Sequence, residues 1–502
     1  VNHTPSRERI CLLTGGGYPY RRDALGGWCR SLVEGLRAFR FELLTVTDRE
    51  LLSAPAYPLP FHVVSARAVA LERDPGRQRR RGPASDDAAE AADLLCRGLL
   101  GDGVVAGERF ADGLRRISRL TGRPGGLSAV PLADALADAW RGHRARTGRP
   151  GLPKLSVRDA RTAATLLRHA MRALAVPVPE VDLVHCVGGT TPLLAALAGH
   201  WRTGTPLLLT EARAAVPRQR PAEDRLSASV RTVLRRFRTA VARTGYAEAE
   251  LIAPLSAYHH AWALDHGAQP SRLVPVPAGV DPGHHPGSGE PGPGPTVVWS
   301  GSGGPDSGLD LLLDAFTDVL AAIPGTVLHL TGVTPAHREN CLTRITGRGL
   351  GAAVRIEASA RAGDRYTPGQ VVAHVPGPAD PPYRLVEAML SGRGVVGVNV
   401  GPVAETLGDT GVVVPAGDPE ELAIAVVGML RDTARRRALG EAARLRALRH
   451  FTVDRVVGAY GALYTDLAAP PPVHSFELTL SVPAPRTTMP ATVRWLTREA
   501  CP

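Results

Sequence analysis

A chain of 502 residues is too long for one ordinary core and predicts two or three domains; 44% hydrophobic and 21% charged residues suit a globular enzyme and exclude a disordered or fibrous protein. The net charge of +11 is carried almost wholly by arginine, Lys154 being the one lysine, and no aromatic-interleaved basic stripe accompanies it, so no nucleic-acid partner is expected. The six cysteines lack CxxC spacing, the start VNHTPSRERI lacks a signal-peptide pattern and no apolar run reaches the ~18 residues that span a bilayer, so a cytoplasmic chain with free thiols is expected.

Residues 10–14 (ICLLT) read as a buried strand running into a glycine loop, and Gly26-Gly27 stand where a helix begins, either to start it or to let backbone approach a ligand. Strands follow at 41–47 and 61–66. The alternation then stops: 73–87 (RDPGRQRRRGPASDD) predicts a poorly ordered surface excursion, and 88–100, 131–144 and 157–175 carry helical periodicity. It resumes with a strand at 181–187, in which His185 stands before Gly188-Gly189-Thr190, a helix at 192–201, and a strand at 206–210 ending on Thr210-Glu211. A lone strand-end histidine is either a satisfied structural group or a ligand contact. A long basic helix (226–245), a strand (251–255), a helix (257–267) and a strand (273–276) lead to the Pro/Gly-rich segment 283–295, which reads as an interdomain linker. His284-His285 alone are an incomplete ligand set, so no metal is expected. Arginine clusters at 77–81, 235–238 and 435–437 read as solvated faces, with contact to anionic lipid headgroups as the lesser alternative.

The second half opens with a strand at 296–300, the loop 301–308 and a helix at 309–323. That loop could offer backbone N–H groups and the hydroxyls of Ser302 and Ser307 to an anion; equally, Ser307 could cap the helix, with Asp310 completing a capping box. After strands at 327–331 and 354–357 comes the most complete unit, 371–405: a strand (371–375), a Pro/Gly loop, a short helix (383–390) with Pro382 in its first turn, and a strand (395–400). In an open parallel sheet this loop and helix start lie at the carboxyl ends of the strands, where ligands bind, and Glu387 would aim a carboxylate into that crevice. Arg384, three residues earlier, suits an ion pair with Glu387 better than a phosphate contact. The expected organisation is a first domain over 1–281 with a helical insertion at about 73–177, a linker at 282–295, a second domain at 296–435, helices at 436–467 crossing back to the first domain, and a Pro-rich tail at 468–502.

The run Leu385-Val386-Glu387-Ala388-Met389, then Ser391-Gly392-Arg393 and Gly401-Pro402-Val403-Ala404-Glu405, resembles the nucleotide-sugar site of family 4 glycosyltransferases, which have the GT-B fold. Gly17-Tyr18-Pro19-Tyr20-Arg21-Arg22 with Trp28 resembles a narrower group, the enzymes related to the Pel exopolysaccharide glycosyltransferase. The resemblance implies an α/β chain of two doubly wound Rossmann-like domains facing a cleft, with a helical insertion in the first. It implies a retaining glycosyltransferase that moves a sugar from a nucleoside diphosphate donor to a glycan, lipid or small acceptor, with no cofactor beyond the donor. Glu387 would hold the ribose, the N–H groups of Leu385 and Val386 would meet phosphate, Gly26 and Gly27 would touch donor or acceptor, and His185 and Glu211 would face the reacting sugar. The chain departs from that pattern where charge matters most. The first of the family's paired glutamates falls on Ala379, with Asp380 beside it as a stand-in, and the arginine and lysine that hold the diphosphate fall on Ser302 and Ser307. Removing one aimed donor typically costs about 3 kcal/mol, so a catalytically silent GT-B paralogue that binds a nucleotide, a glycan or a partner protein is the alternative. On these substitutions alone, a nucleoside and its diphosphate should bind with similar affinity.

Overall fold

The computed structural model describes residues 8–21, 24–48, 54–71, 85–123, 125–147, 152–212, 225–287, 289–292, 294–305, 307–357, 362–377 and 381–468. In chain order the first half contains β1 (Arg9–Thr14), α1 (Ala24–Gly35), β2 (Arg40–Thr47), β3 (Val63–Ala70), α2 (Asp86–Leu100), α3 (Val104–Thr121), α4 (Gly126–Ala129), α5 (Leu132–Thr147), α6 (Val157–Met171), β4 (Leu183–Val187), α7 (Thr190–Thr203), β5 (Leu207–Glu211), α8 (Ala228–Glu248), β6 (Leu251–Pro254) and α9 (Ala257–Asp265). The second contains β7 (Thr296–Ser300), α10 (Leu309–Ala322), β8 (Val327–Thr331), α11 (Pro335–Thr346), β9 (Val354–Ile356), β10 (Val371–His374), α12 (Tyr383–Leu390), β11 (Gly394–Val398), α13 (Val403–Leu407), β12 (Val412–Val414), α14 (Pro419–Arg431), α15 (Thr433–His450) and α16 (Val453–Ala468).

Each half builds a six-stranded sheet, in the orders β3-β2-β1-β4-β5-β6 and β12-β11-β10-β7-β8-β9, and every pairing within them is parallel. The two orders are one topology, with the direction of winding reversing between β1 and β4 and again between β7 and β10. Strands covered on both faces must be apolar throughout, which is why β1, β4 and β5 are buried along nearly their whole length. No helix among the described residues is long and apolar enough to cross a membrane, and the cysteines described, at 11, 29, 96, 186 and 341, are buried and form no disulfide among the described residues.

Several sequence expectations shift. Helix α3, which carries Gly107 and Gly113, adds to the helices expected from the sequence. Its Ala106, Phe110, Leu114 and Ile117 are buried at helical spacing. A Cβ on Gly113 would lie 2.5 Å from the Leu95 amide, and one on Gly98 would lie 2.4 Å from that of Phe110, so these glycines allow α2 and α3 to touch backbone to backbone. The expected strand at 273–276 keeps one bridge, between Ile252 and Leu273; the Val274 and Val276 amides donate to Ile252 O at 2.9 Å and Pro254 O at 3.1 Å, but Pro254 has no N–H to return a bond and continue the ladder. The expected mobile excursion lies mostly outside the described residues, but Ser85 already caps α2 by accepting from the Ala88 amide. Residues 469–502 also lie outside them.

The chain passes between the halves twice, side by side. The Val280 amide donates to Phe451 O at 2.9 Å and the Val453 amide donates to Val280 O at 3.1 Å. A Cβ on Gly279 would fall 2.5 Å from Thr452 O, so that crossing requires glycine. Beyond it α16 packs on α1, in an apolar cluster that includes Trp28, Phe39, Phe41, Tyr460, Tyr464 and, from α12, Tyr383. The Pro/Gly-rich linker is held by arginines. Arg436, 3% exposed, donates to both carboxylate oxygens of Glu290 at 2.8 and 3.0 Å, Arg393 donates to Gly289 O at 2.8 Å, and Arg444 donates to His285 O at 2.9 Å. The reading of 435–437 as a solvated face is therefore corrected at its middle residue.

Candidate active site

A cleft of about 1000 Å³ is lined from one side by Gly27 and Trp28 of α1 and from the other by Arg365, Tyr383, Arg384 and Glu387. Its second-half wall includes the exposed face of α12, from which Arg384 reaches Ser300 at the carboxyl end of β7, beside the reversal point where doubly wound sheets take their ligands. Helix α12 forms there because Pro382 sets its first turn, and its Leu385, Val386, Met389 and Leu390 are buried against the sheet. The opposite face carries Arg384 and Glu387, one turn apart.

Glu387 is paired with a residue the sequence did not single out. Arg365 Nη1 donates to Glu387 Oε2 at 2.8 Å, with side-chain exposures of 24% and 13%. Burial opposes the charge of Arg365, yet the adjacent Glu387 carboxylate raises its pKa above the ordinary value. The expected Arg384–Glu387 pair is not formed. Arg384 reaches across the reversal point, its Nη1 donating to Ser300 Oγ at the end of β7 at 2.6 Å, while Tyr366 OH donates to Arg384 O at 2.8 Å. Helical spacing puts Arg384 on the face of Glu387, but a long side chain in the first turn can equally serve a neighbouring strand end, and a serine acceptor is present there. Burial raises the pKa of the Tyr366 hydroxyl, nearby Glu387 raises it further, and Arg384 and Arg365 oppose both, so one hydroxyl feels all three charges. His285, 2% exposed, lies within the same field; burial lowers its pKa, with Glu387 opposing and Arg365 assisting.

The other expected residues are placed as follows. Gly26 and Gly27 lie inside α1, whose first residue is Ala24, and Gly27 borders the cleft. Val386 spends its N–H on Pro382 O at 2.9 Å, which corrects its expected phosphate contact; the Leu385 amide, one residue earlier, has no intrahelical acceptor. Ser307 does not cap α10. Its Oγ donates to Gly304 O at 2.6 Å, the cap is Gly308 at φ 72°, and Asp310 turns to Arg344 at 2.7 Å and Arg348 at 3.3 Å, so the capping box is absent. Ser302 Oγ accepts from the Gly304 amide at 3.4 Å. Neither serine borders the cleft. Asp380 and Ala379 lie outside the described residues.

His185 and Glu211 are also removed from the cleft. His185 is fully buried, with Nδ1 2.6 Å from Tyr464 OH and Nε2 2.7 Å from Thr210 Oγ1, which is itself 2.6 Å from Tyr460 OH. It fastens α16 to β4 and β5, and no sequence spacing could show that. Glu211, 6% exposed, accepts from Tyr246 OH at 2.6 Å. Burial pushes the His185 pKa down to about 3. Between that value and the ~6.5 of an unfolded histidine, the unfolded state binds a proton that the native state refuses, so stability rises with pH there and falls on acidification. Urea unfolding from pH 7 to pH 4 should show this loss, up to about 1.4 kcal/mol per pH unit, and His185→Gln should reduce the slope by about one proton. An unchanged slope in the variant would show that His185 titrates normally.

The paired doubly wound sheets and the cleft lined by both halves define a protein of the GT-B glycosyltransferase fold. The chain belongs to the family of the domain of unknown function DUF3492, whose profile matches residues 8–271, more than half of its length. Residues 294–432 match the profile of glycosyl transferases group 1. Among solved structures it is similar to sucrose-phosphate synthase from Thermosynechococcus elongatus (TM-score 0.57, 18% identity, 92% of this chain and 99% of that one). It is similar also to Anabaena HepE solved in complex with UDP-glucose (0.56, 15%, 92% and 100%), and to α,α-trehalose 6-phosphate synthase from Burkholderia multivorans (0.55, 13%, 99% and 99%). N-acetyl-alpha-D-glucosaminyl L-malate synthase of Bacillus anthracis is 33% identical over 85 residues, 16% of this chain, and the match spans 22% of that curated relative's length.

Proposed function

We propose that the protein is a retaining glycosyltransferase that takes a sugar from a nucleoside diphosphate donor bound on the second sheet and delivers it to a glycan, lipid or small-molecule hydroxyl presented by the first half. The observation that carries this reading is the Glu387 carboxylate facing the cleft one turn into α12. Arg365 donates to Oε2 and leaves the two lone pairs of Oε1 to accept from the ribose hydroxyls. The match to glycosyl transferases group 1 over 294–432 supports the same assignment, as does the likeness to a fold solved with UDP and with UDP-glucose. In the transfer the sugar C1–O bond breaks with its electron pair on the departing phosphate, the acceptor oxygen bonds to C1, and the hydroxyl proton passes to the departing phosphate. The narrower likeness to the Pel-type enzymes, the retained configuration and the absence of a further cofactor are parts of this proposal. Incubation with UDP-, GDP- and ADP-sugars, followed by proton NMR of the anomeric signal, tests it. Slow donor hydrolysis or transfer with retention is expected, whereas saturating binding of no nucleotide at millimolar concentration would overturn it.

A further inference from the structure

The loop that should meet the donor's diphosphate carries Ser302 and Ser307, and both hydroxyls are engaged within their own turn. Several other second-half arginines among the described residues are engaged elsewhere. Arg393 is 2% exposed and serves backbone carbonyls of Tyr366, Gly289 and Thr367. Arg344 and Arg348 belong to Asp310 and Asp314, and Arg365 belongs to Glu387. Arg384 differs from all of these, since among the described residues its guanidinium is anchored by a neutral hydroxyl, Ser300 Oγ, and by no carboxylate. Its position is also distinctive. It starts on α12, the helix that follows β10, and ends at the tip of β7, spanning the reversal point of the sheet. Gly332, at the tip of β8, gives it room, for a Cβ there would lie 3.2 Å from Arg384 Nη1. Along α12, Arg384 precedes Glu387 by three residues, about 4.5 Å of helix rise, the scale of the step from a ribose to its 5′ phosphate.

We infer that Arg384, held by Ser300, is the residue that binds the donor's diphosphate in this chain and meets the charge of the departing nucleotide. The inference rests on the nucleotide-sugar reading given above and names the cation that reading lacks. A guanidinium presents a planar fork suited to two phosphate oxygens, and a hydroxyl anchor orients it without neutralising it. The shared field at the Tyr366 hydroxyl, in which Glu387 acts one way and Arg384 the other, places both groups around a single site. The inference predicts the opposite of the similar affinity for nucleoside and diphosphate expected from the sequence.

Calorimetry on the full chain with uridine, guanosine and adenosine and with their diphosphates tests this. For the base that binds, the diphosphate should bind more tightly than the nucleoside by on the order of 10- to 100-fold. Arg384→Gln should bring that ratio close to one while leaving nucleoside affinity unchanged, and Arg384→Lys should restore part of it. Ser300→Ala, which keeps the charge and removes its anchor, should lower the ratio less; it serves as the readout if Arg384→Gln does not fold. A ratio that survives Arg384→Gln, or an undiminished ratio in Ser300→Ala where only that variant folds, overturns the assignment and leaves the nucleotide-sugar reading standing. A native protein that binds a nucleoside but gains nothing from its diphosphate does the same. Failure to bind nucleoside and diphosphate alike removes the underlying reading and this inference with it.

Discussion

Glu387→Ala should abolish measurable nucleoside binding and also weaken the fold. A carboxylate accepting two ribose hydroxyls contributes roughly 1.5–3 kcal/mol for each hydrogen bond, so its loss weakens binding by about 100-fold or more. The cost to stability has a different origin. Arg365, 24% exposed, would lose the carboxylate at 2.8 Å that holds its charge, and partial exposure limits the penalty to about 1–2 kcal/mol. The two effects separate in Glu387→Ala/Arg365→Ala, where stability should recover and binding should not. Urea midpoints and calorimetry on the two single variants and the double variant measure both. Native-like nucleoside affinity in Glu387→Ala would remove this residue from the site.

Glu290→Ala should be among the most damaging single changes outside the cleft, although composition places Glu290 in an interdomain linker. Its carboxylate receives two hydrogen bonds from Arg436 and one from Arg437, at 3.2 Å. Arg436 is 3% exposed, and without Glu290 its guanidinium keeps, among the described residues, Thr433 Oγ1 and the carbonyls of Met429 and Leu430. A buried charge that loses its partner costs about 3 kcal/mol, a large fraction of the 5–15 kcal/mol that typically holds a protein together. The Arg436 hydrogen bonds hold the Glu290 carboxyl below the usual carboxylate range. The folded pKa is thus depressed, so this contribution is complete above about pH 4.5 and is lost as pH falls through the folded value. A linker without structure would shift the urea midpoint by less than the error, and that result would refute the tie.

The apolar runs at 10–14, 181–187, 206–210 and 371–375 were legible as strands because a strand covered on both faces has to be apolar along its length. Helix α12 was legible from Pro382 and from the spacing of its buried residues. Both signals are local. The partners of the charged groups were not legible. Glu387 meets Arg365 across 22 positions, Arg384 meets Ser300 across 84, and His185 meets Tyr464 across 279. Sequence alone therefore determined the alternation of strands and helices, two doubly wound halves, and a carboxylate at the carboxyl end of the second sheet. Tertiary structure alone decided that His185 is a buried fastener, that Glu387 answers to Arg365, and that Arg384 stands over the strand ends. Periodicity records only which face of an element is covered, whereas the destination of a long charged side chain depends on which distant strand end brings an acceptor within 3 Å, and that is set by packing.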